Sequence, residues 1–270
     1  MNKLMITAAL TGAEVTKEQH PALPVTPEEI AIAAYECFKA GASIIHIHAR
    51  ENDGTPSQNI EIYREIIERI KEKCDVIIQV STGGAVGMTM EERMQPIFLK
   101  PEMATLSTGT VNFGDSVFLN SPNDMEKLAD SMLNEGILPE FEIFEVGMIQ
   151  NALKLVSKRD LKHLHFDFVI GVPGAIPATI ENLLLLKSQI PNDATWTVAG
   201  IGRHQLPMAV YAMLMGGHVR VGFEDNIFYK KGVFANSNAQ LIERIVRIAD
   251  EIGREIATPT EARKILGLGI

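Results

Sequence analysis

The sequence predicts an α/β protein of the closed (β/α)8 TIM-barrel class. Three observations carry that expectation: eight short runs rich in β-branched and apolar residues, helix-patterned segments between them, and polar side chains collected where the runs end. The strand-like runs are Leu4 to Leu10, Ser43 to Ala49, Val76 to Val80, Met103 to Leu106, Phe141 to Val146, His163 to Ile170, Thr195 to Ala199 and His218 to Gly222.

Helix patterns are clearest at Pro27 to Lys39, Ile60 to Lys73, Asn123 to Asn134 and Asn238 to Arg254. Thr26-Pro27-Glu28-Glu29 offers a side-chain acceptor to the free N–H groups of a first turn, a proline where a missing N–H costs nothing, and acids at the positive end of the dipole. Ser121-Pro122-Asn123-Asp124 opens another helix in the same way. The third unit is the weakest, because Thr89 to Leu99 contains Pro96 and has room for only a short helix. A doubly wound sheet also alternates strands and helices. Its dinucleotide-binding form needs a GxGxxG turn after the first strand, where this chain has Thr11-Gly12-Ala13-Glu14. Glycines mark the ends of the runs, at Gly83-Gly84, Gly171 and Gly216-Gly217, and no linker-like stretch divides the chain, so residues 1–270 are expected to form one barrel domain.

Composition narrows the function classes. The chain has 34 acidic against 25 basic residues and a net charge of -9, with no basic tract, which argues against a nucleic-acid surface but leaves room for a local phosphate site. With 46% hydrophobic residues it can bury a large core without disulfides. No window approaches the roughly 20 apolar residues of a membrane span, and Met1 to Leu10 lacks the pattern of a signal peptide. Cys37 and Cys74 lie far apart and read as buried or half-buried thiols in a reducing compartment, so a cytoplasmic protein is expected. His20, before a proline, is expected on an exposed loop.

The polar residues cluster by position. His46 and His48 end the second run, Ser81 and Thr82 follow the third, and Ser107 and Thr108 follow the fourth. Glu142 lies in the fifth, while Arg220, Glu224 and Asp225 close the eighth. In a barrel, such strand ends converge over one opening. In Ile44-Ile45-His46-Ile47-His48 the two histidines stand two residues apart on a strand and share a face, while the isoleucines before and between them face the helices. That pair can offer two imidazoles to one ion or form two hydrogen-bonded core residues. A catalytic zinc needs a third ligand, and Glu224 after the last run can reach across the mouth; the alternative is that Glu224 and Asp225 are a solvated loop pair. His163 and His165 form a rival pair, with Asp167 on the same face as a hydrogen-bond partner.

Ser81-Thr82-Gly83-Gly84 presents hydroxyls and backbone N–H groups suited to a carboxylate, or makes a plain glycine turn. Ser107-Thr108-Gly109-Thr110 provides similar groups one strand over. Arg220 calls for carboxylate partners, of which Asp225 and Glu142 are available; an aspartate held this way can act as a base or complete a structural ion pair. After the seventh run, Ala199-Gly200-Ile201-Gly202-Arg203-His204 is placed where barrels bind phosphates, with Lys230-Lys231 able to extend a positive patch; a structural turn is the other reading.

The chain resembles the β-keto acid cleavage enzymes over nearly its whole length. The resemblance is carried by Thr7-Ala8-Ala9-Leu10-Thr11-Gly12-Ala13-Glu14, Leu23-Pro24-Val25-Thr26-Pro27-Glu28-Glu29, His46-Ile47-His48, Ile78-Gln79-Val80-Ser81-Thr82-Gly83-Gly84-Ala85-Val86-Gly87 and Lys100-Pro101-Glu102-Met103-Ala104-Thr105-Leu106. It continues in Val198-Ala199-Gly200-Ile201-Gly202-Arg203 and in Gly216-Gly217-His218-Val219-Arg220-Val221-Gly222-Phe223-Glu224-Asp225-Asn226.

That resemblance implies a (β/α)8 barrel, one zinc ion, a homotetramer and acetyl-CoA as cosubstrate. It makes His46, His48 and Glu224 the zinc ligands, Asp225 the base and Arg220 its partner. Ser81, Thr82 and Gly83 look like binders of the substrate carboxylate, helped by Thr105 or Ser107. Glu14 and Glu142 look like the acids facing a substrate ammonium, with Glu142 also able to serve the base, and Gly202 and Arg203 fall on the loop that faces CoA. The implied reaction joins 3-keto-5-aminohexanoate and acetyl-CoA and yields 3-aminobutanoyl-CoA and acetoacetate, a step of lysine fermentation. Ala49-Arg50 and Arg203-His204-Gln205 depart from the family pattern, the second in the loop expected to face CoA. Three rivals stand beside this reading: the same chemistry on another β-keto acid, a zinc-dependent aldolase that needs no acetyl-CoA, and a metal-stabilised ligand-binding barrel without turnover.

Overall fold

In the computed structural model, which describes residues 2–269, eight parallel strands close into a barrel. They are β1 (Ile6–Ala9), β2 (Ile44–Ile47), β3 (Ile77–Val80), β4 (Met103–Ser107), β5 (Leu138–Ile143), β6 (His165–Ile170), β7 (Thr195–Gly200) and β8 (His218–Val221). Each strand pairs with its sequence neighbours. The ring is closed by β8 against β1, with Ile6, Thr7 and Ala8 opposite Val219, Arg220 and Val221.

The helices are α1 (Pro27–Ala40), α2 (Ile60–Lys73), α3 (Met90–Arg93), α4 (Pro122–Asn134), α5 (Val146–Ser157), α6 (Ile180–Gln189), α7 (Gln205–Leu214), α8 (Asn238–Glu251) and α9 (Pro259–Leu266). The expected cap of α1 forms in full: the Thr26 hydroxyl accepts from Glu29 N, and the Glu29 carboxylate accepts from Thr26 N. In the third unit α3 spans one turn and continues as a 3-10 turn over Gln95–Leu99, where Pro96 has no N–H for an α-helical bond. No helix among the described residues is long and apolar enough to cross a membrane.

Several boundaries differ from the sequence reading. The fifth strand begins three residues before Phe141 and ends at Ile143, because Pro139 is tolerated near the strand's start and Val146 already opens α5. At the other end of the chain, α8 stops at Glu251 rather than Arg254. Arg254 is instead buried, donating to the Met213 and Gly217 carbonyls at 2.8 and 2.6 Å. His20 is 2% exposed rather than solvated. Its Nε2 lies 2.9 Å from the Ala235 carbonyl and its ring packs 4.4 Å from that of Phe223, so it ties the first loop to the last.

Two hydrophobic layers follow from strand alternation. Outward residues such as Ile45, Ile47, Val80 and Val198 pack under the helices, whereas Met5, Ile44, Ile77, Met103 and Leu138 point inward at the N-terminal end of the barrel. The latter are covered by Ala262, Leu266 and Leu268 from α9 and its tail. This floor leaves the opposite end free for polar side chains. Shortening Leu266, 1% exposed in the floor, is expected to cost about 2–4 kcal/mol in Leu266→Ala. Urea unfolding measures it, and a loss under about 1 kcal/mol would show that α9 does not seal the barrel.

Candidate active site

The C-terminal mouth gathers the predicted metal ligands. His46 lies in β2, one residue before its end, and His48 directly follows the strand, with ring centroids 5.3 Å apart. Glu224 reaches them from the far side: its Oε2 lies 3.5 Å from His46 Nε2 and its Oε1 3.4 Å from His48 Nε2. Ligand atoms held about 2.0–2.2 Å from a tetrahedral ion stand roughly 3.3–3.5 Å from one another, and each histidine stands at that separation from one Glu224 oxygen. These three residues are the group among the described residues whose donor atoms converge within 4.8 Å. His46 Nε2 and Glu224 Oε2 are also buried without hydrogen-bond partners, an arrangement a cation completes.

The local chain explains how Glu224 gets there. A Cβ on Gly222 would stand 2.0 Å from the Ala9 carbonyl oxygen, so only glycine lets β8 cross β1 this closely. Phe223 is then anchored by Asn238 Oδ1, which accepts from its N–H at 2.8 Å, while Glu224 N donates to Ala9 O. Gln79 on β3 supports the His46 ring, its Oε1 lying 2.7 Å from Nδ1. With the proton on Nδ1, Nε2 keeps its lone pair for a metal.

Behind the triad lies Arg220, 3% exposed and facing four carboxylates. Its Nε and Nη2 donate to Asp225 at 3.0 and 2.8 Å in a two-pronged bond, and Nη2 also reaches Glu224. Its Nη1 stands 3.7 Å from both Glu142 and Asp167 without a hydrogen bond. Burial works against charge on Glu224, but Arg220 and the histidines outweigh it and hold that carboxyl well below its ordinary range. Asp225 goes the other way: burial pushes it up to about 6 despite Arg220. Burial also raises Glu142, which accepts from the Ser107 hydroxyl at 2.6 Å. One level deeper, burial and the neighbouring Glu140 raise Asp167 well above the usual range.

On the anion side, the Ser81–Gly84 turn is fixed from behind by Arg93, which donates to Thr82 O at 2.7 Å, and by Gln58, which donates to Ser81 O. Thr82 spends its N–H on Thr105 Oγ1 and its hydroxyl on Thr105 O, and Gly83 N donates to Ser81 Oγ. The Ser81 hydroxyl proton is left for a ligand. Glu14 is exposed on the first loop, and Arg203, Lys230 and Lys231 are exposed on the seventh and eighth. Gly202 N donates to the Asp225 carbonyl at 2.7 Å, which ties the seventh loop to the segment after β8.

The rival histidine pair does not form a site. His163 is exposed before β6 begins, while His165 is buried with its Nε2 3.0 Å from Glu140. Asp167 consequently faces Arg220 rather than an imidazole. Sequence reasoning missed Gln79, Glu140 and Asp167 as parts of this network. A signal existed for Gln79: it is the polar exception in Ile77-Ile78-Gln79-Val80 and shares a face with Ser81.

A family model described as beta-keto acid cleavage enzyme matches residues 3–268. The chain belongs to the β-keto acid cleavage enzyme family. It is 56% identical to the 3-keto-5-aminohexanoate cleavage enzyme of Fusobacterium nucleatum, over 99% of each chain. It is 53% identical to the protein of that name from Acetoanaerobium sticklandii, again over 99% of each. The 3-oxoadipate:acetyl-CoA acetyltransferase of Cupriavidus necator is 39% identical, with 98% of this chain and 94% of that one covered.

For this β-keto acid cleavage enzyme family member, Gln79→Leu is expected to weaken zinc binding by about 10–100-fold through loss of the acceptor at His46. Chelator competition reads this directly, and unchanged affinity would remove Gln79 from the metal site.

Proposed function

We propose that the protein uses acetyl-CoA to cleave 3-keto-5-aminohexanoate, giving 3-aminobutanoyl-CoA and acetoacetate, as a step of lysine fermentation. The observation that carries this reading is a paired base and guanidinium, Asp225 and Arg220, set directly against a His46, His48 and Glu224 metal triad. Removal of a proton between a ketone and a carboxylate needs a base held beside the metal, and this pair offers one. The names of the Fusobacterium and Acetoanaerobium relatives support the substrate, and that of the Cupriavidus relative supports acetyl-CoA.

His46, His48 and Glu224 would hold a zinc ion, which would supply positive charge for the keto oxygen. Ser81, with Thr82 and Gly83 shaping its turn and Thr105 behind them, receives the substrate carboxylate. Asp225 takes the proton from the carbon between the two groups. Arg220 holds the base in line, and Glu142, bonded to Ser107, balances the guanidinium from its other side. Asp225 keeps the proton while the carbanion attacks the acetyl-CoA carbonyl and the released CoA thiolate adds to the original ketone. The bond from that former ketone carbon to the acetylated carbon then breaks, releasing 3-aminobutanoyl-CoA, and Asp225 returns the proton to the acetoacetate carbanion. Gly202 and Arg203 on the seventh loop face CoA, and Glu14 faces the substrate ammonium, with Glu142 the other acid in reach.

Exposed Leu184 and Leu185 on α6 and Leu214 at the end of α7 support burial in a homotetramer. Free Cys37 and Cys74 support a reducing, cytoplasmic setting.

An assay of acyl-CoA products across a panel of β-keto acids tests the reading. Product should require acetyl-CoA and vanish with a chelator; turnover without acetyl-CoA would indicate an aldolase. Asp225→Asn should keep its metal and lose at least about 100-fold in kcat. Because the base must be ionised, kcat/KM falls as pH drops through the pKa of Asp225, which burial sets at about 6. A cation nearby can only favour the carboxylate, so the acid limb belongs at or below that pH; a limb well above it would exclude Asp225.

A further inference from the structure

Arg50, two residues after the second histidine, has a structural role. Arg50 stands on a two-residue strand just after the second histidine, paired with Pro56–Ser57, and is 3% exposed. Its guanidinium is spent on backbone carbonyls: Nε donates to Gly12 O at 2.9 Å, Nη2 to Val15 O at 2.9 Å and Nη1 to Gly54 O at 2.7 Å. The first two carbonyls bracket Ala13 and Glu14 on a loop that is neither helix nor strand. A planar fork with three fixed acceptors leaves that segment little freedom, which a lysine could not reproduce.

The same loop touches the metal site. Gly12 has φ +65°, and a Cβ there would lie 2.5 Å from Glu224 Cγ, so the loop backbone rests on the third ligand. Glu14 therefore follows two residues after a contact with Glu224 and is pinned on both sides by Arg50. Glu14 also lies close enough to stabilise the Arg50 charge against burial.

We infer that Arg50 is a positioning residue that fixes Glu14 relative to the Glu224 end of the site and thereby sets the preference for a β-keto acid carrying an ammonium group. The inference rests on the reading of Glu14 as the acid facing that ammonium. A carboxylate on an exposed, unpinned loop would spread over many positions, and its attraction for the ammonium would be averaged and screened.

The test is a double-mutant cycle on the zinc-loaded enzyme, with 3-keto-5-aminohexanoate and its amine-free analogue 3-oxohexanoate as probes. Glu14→Gln should lower the ratio of kcat/KM for the amino substrate over the neutral one by about tenfold or more. Arg50→Met should lower the same ratio by a similar factor, mainly through KM of the amino substrate, and Arg50→Lys should recover only part of it. In the Glu14→Gln background, Arg50→Lys should leave the ratio unchanged. Additive losses would overturn the inference, as would an Arg50→Lys variant that loses zinc or falls equally on both substrates. If Glu14→Gln leaves the ratio intact, the reading of Glu14 fails and this inference with it; if only the Arg50 variants leave it intact, the inference fails alone.

Discussion

The guanidinium of Arg220 lies inside the barrel mouth with 3% of its surface exposed, and a charge so placed must be matched by carboxylates and hydrogen bonds. It can face Asp225, Glu224, Glu142 and Asp167 because β8 closes the ring next to β1, whose neighbour β2 ends at the histidines. Neutralising it alone would leave several acids buried without a counter-charge. Glu224, Asp225 and the acids behind them therefore share one electrostatic anchor.

That shared anchor explains why adjacent residues behave differently. Glu224 turns toward two imidazoles and one guanidinium and stays ionised, the form in which a carboxylate can ligate a metal. Asp225 has the guanidinium but not the imidazole pair, and burial leaves it much nearer to neutrality, as suits a group that takes and returns a proton. Below them, Glu140 pairs with His165 while Asp167 lies among other acids and is pushed toward its neutral form. A metal ion held at the mouth would add positive charge where the acids are most crowded.

The division between scaffold and loops follows the same logic. Side chains that handle charge stand on strands or directly after them, where pairing fixes their positions. The loops are held by buried side chains that donate to backbone carbonyls: Arg50 under the first loop, Gln58 and Arg93 under the Ser81 turn, Arg254 at the base of β8. These arginines have no carboxylate bonded to them, and Arg93 instead also lies 4.6 Å over the Phe118 ring. Their charge is solvated by peptide dipoles, which stiffens the rim without adding acids to a mouth already rich in them.

The order of strands and helices, the caps of α1 and α4, and the shared face of His46 and His48 were legible in sequence, because periodicity and local hydrogen-bonding residues act over a few positions. Family blocks in the sequence pointed to Glu224, but spacing alone left Glu224 and Asp225 open to being a solvated loop pair. Closure of the barrel sets one acid against the imidazoles and the other against Arg220. Closure also separated His165 from His163, buried His20 against Phe223, and turned Asp167 toward Arg220. Sequence thus determined which side chains share a face of each element. Only the tertiary structure decided which faces meet, because those contacts join residues far apart in the chain and depend on packing that no local pattern records.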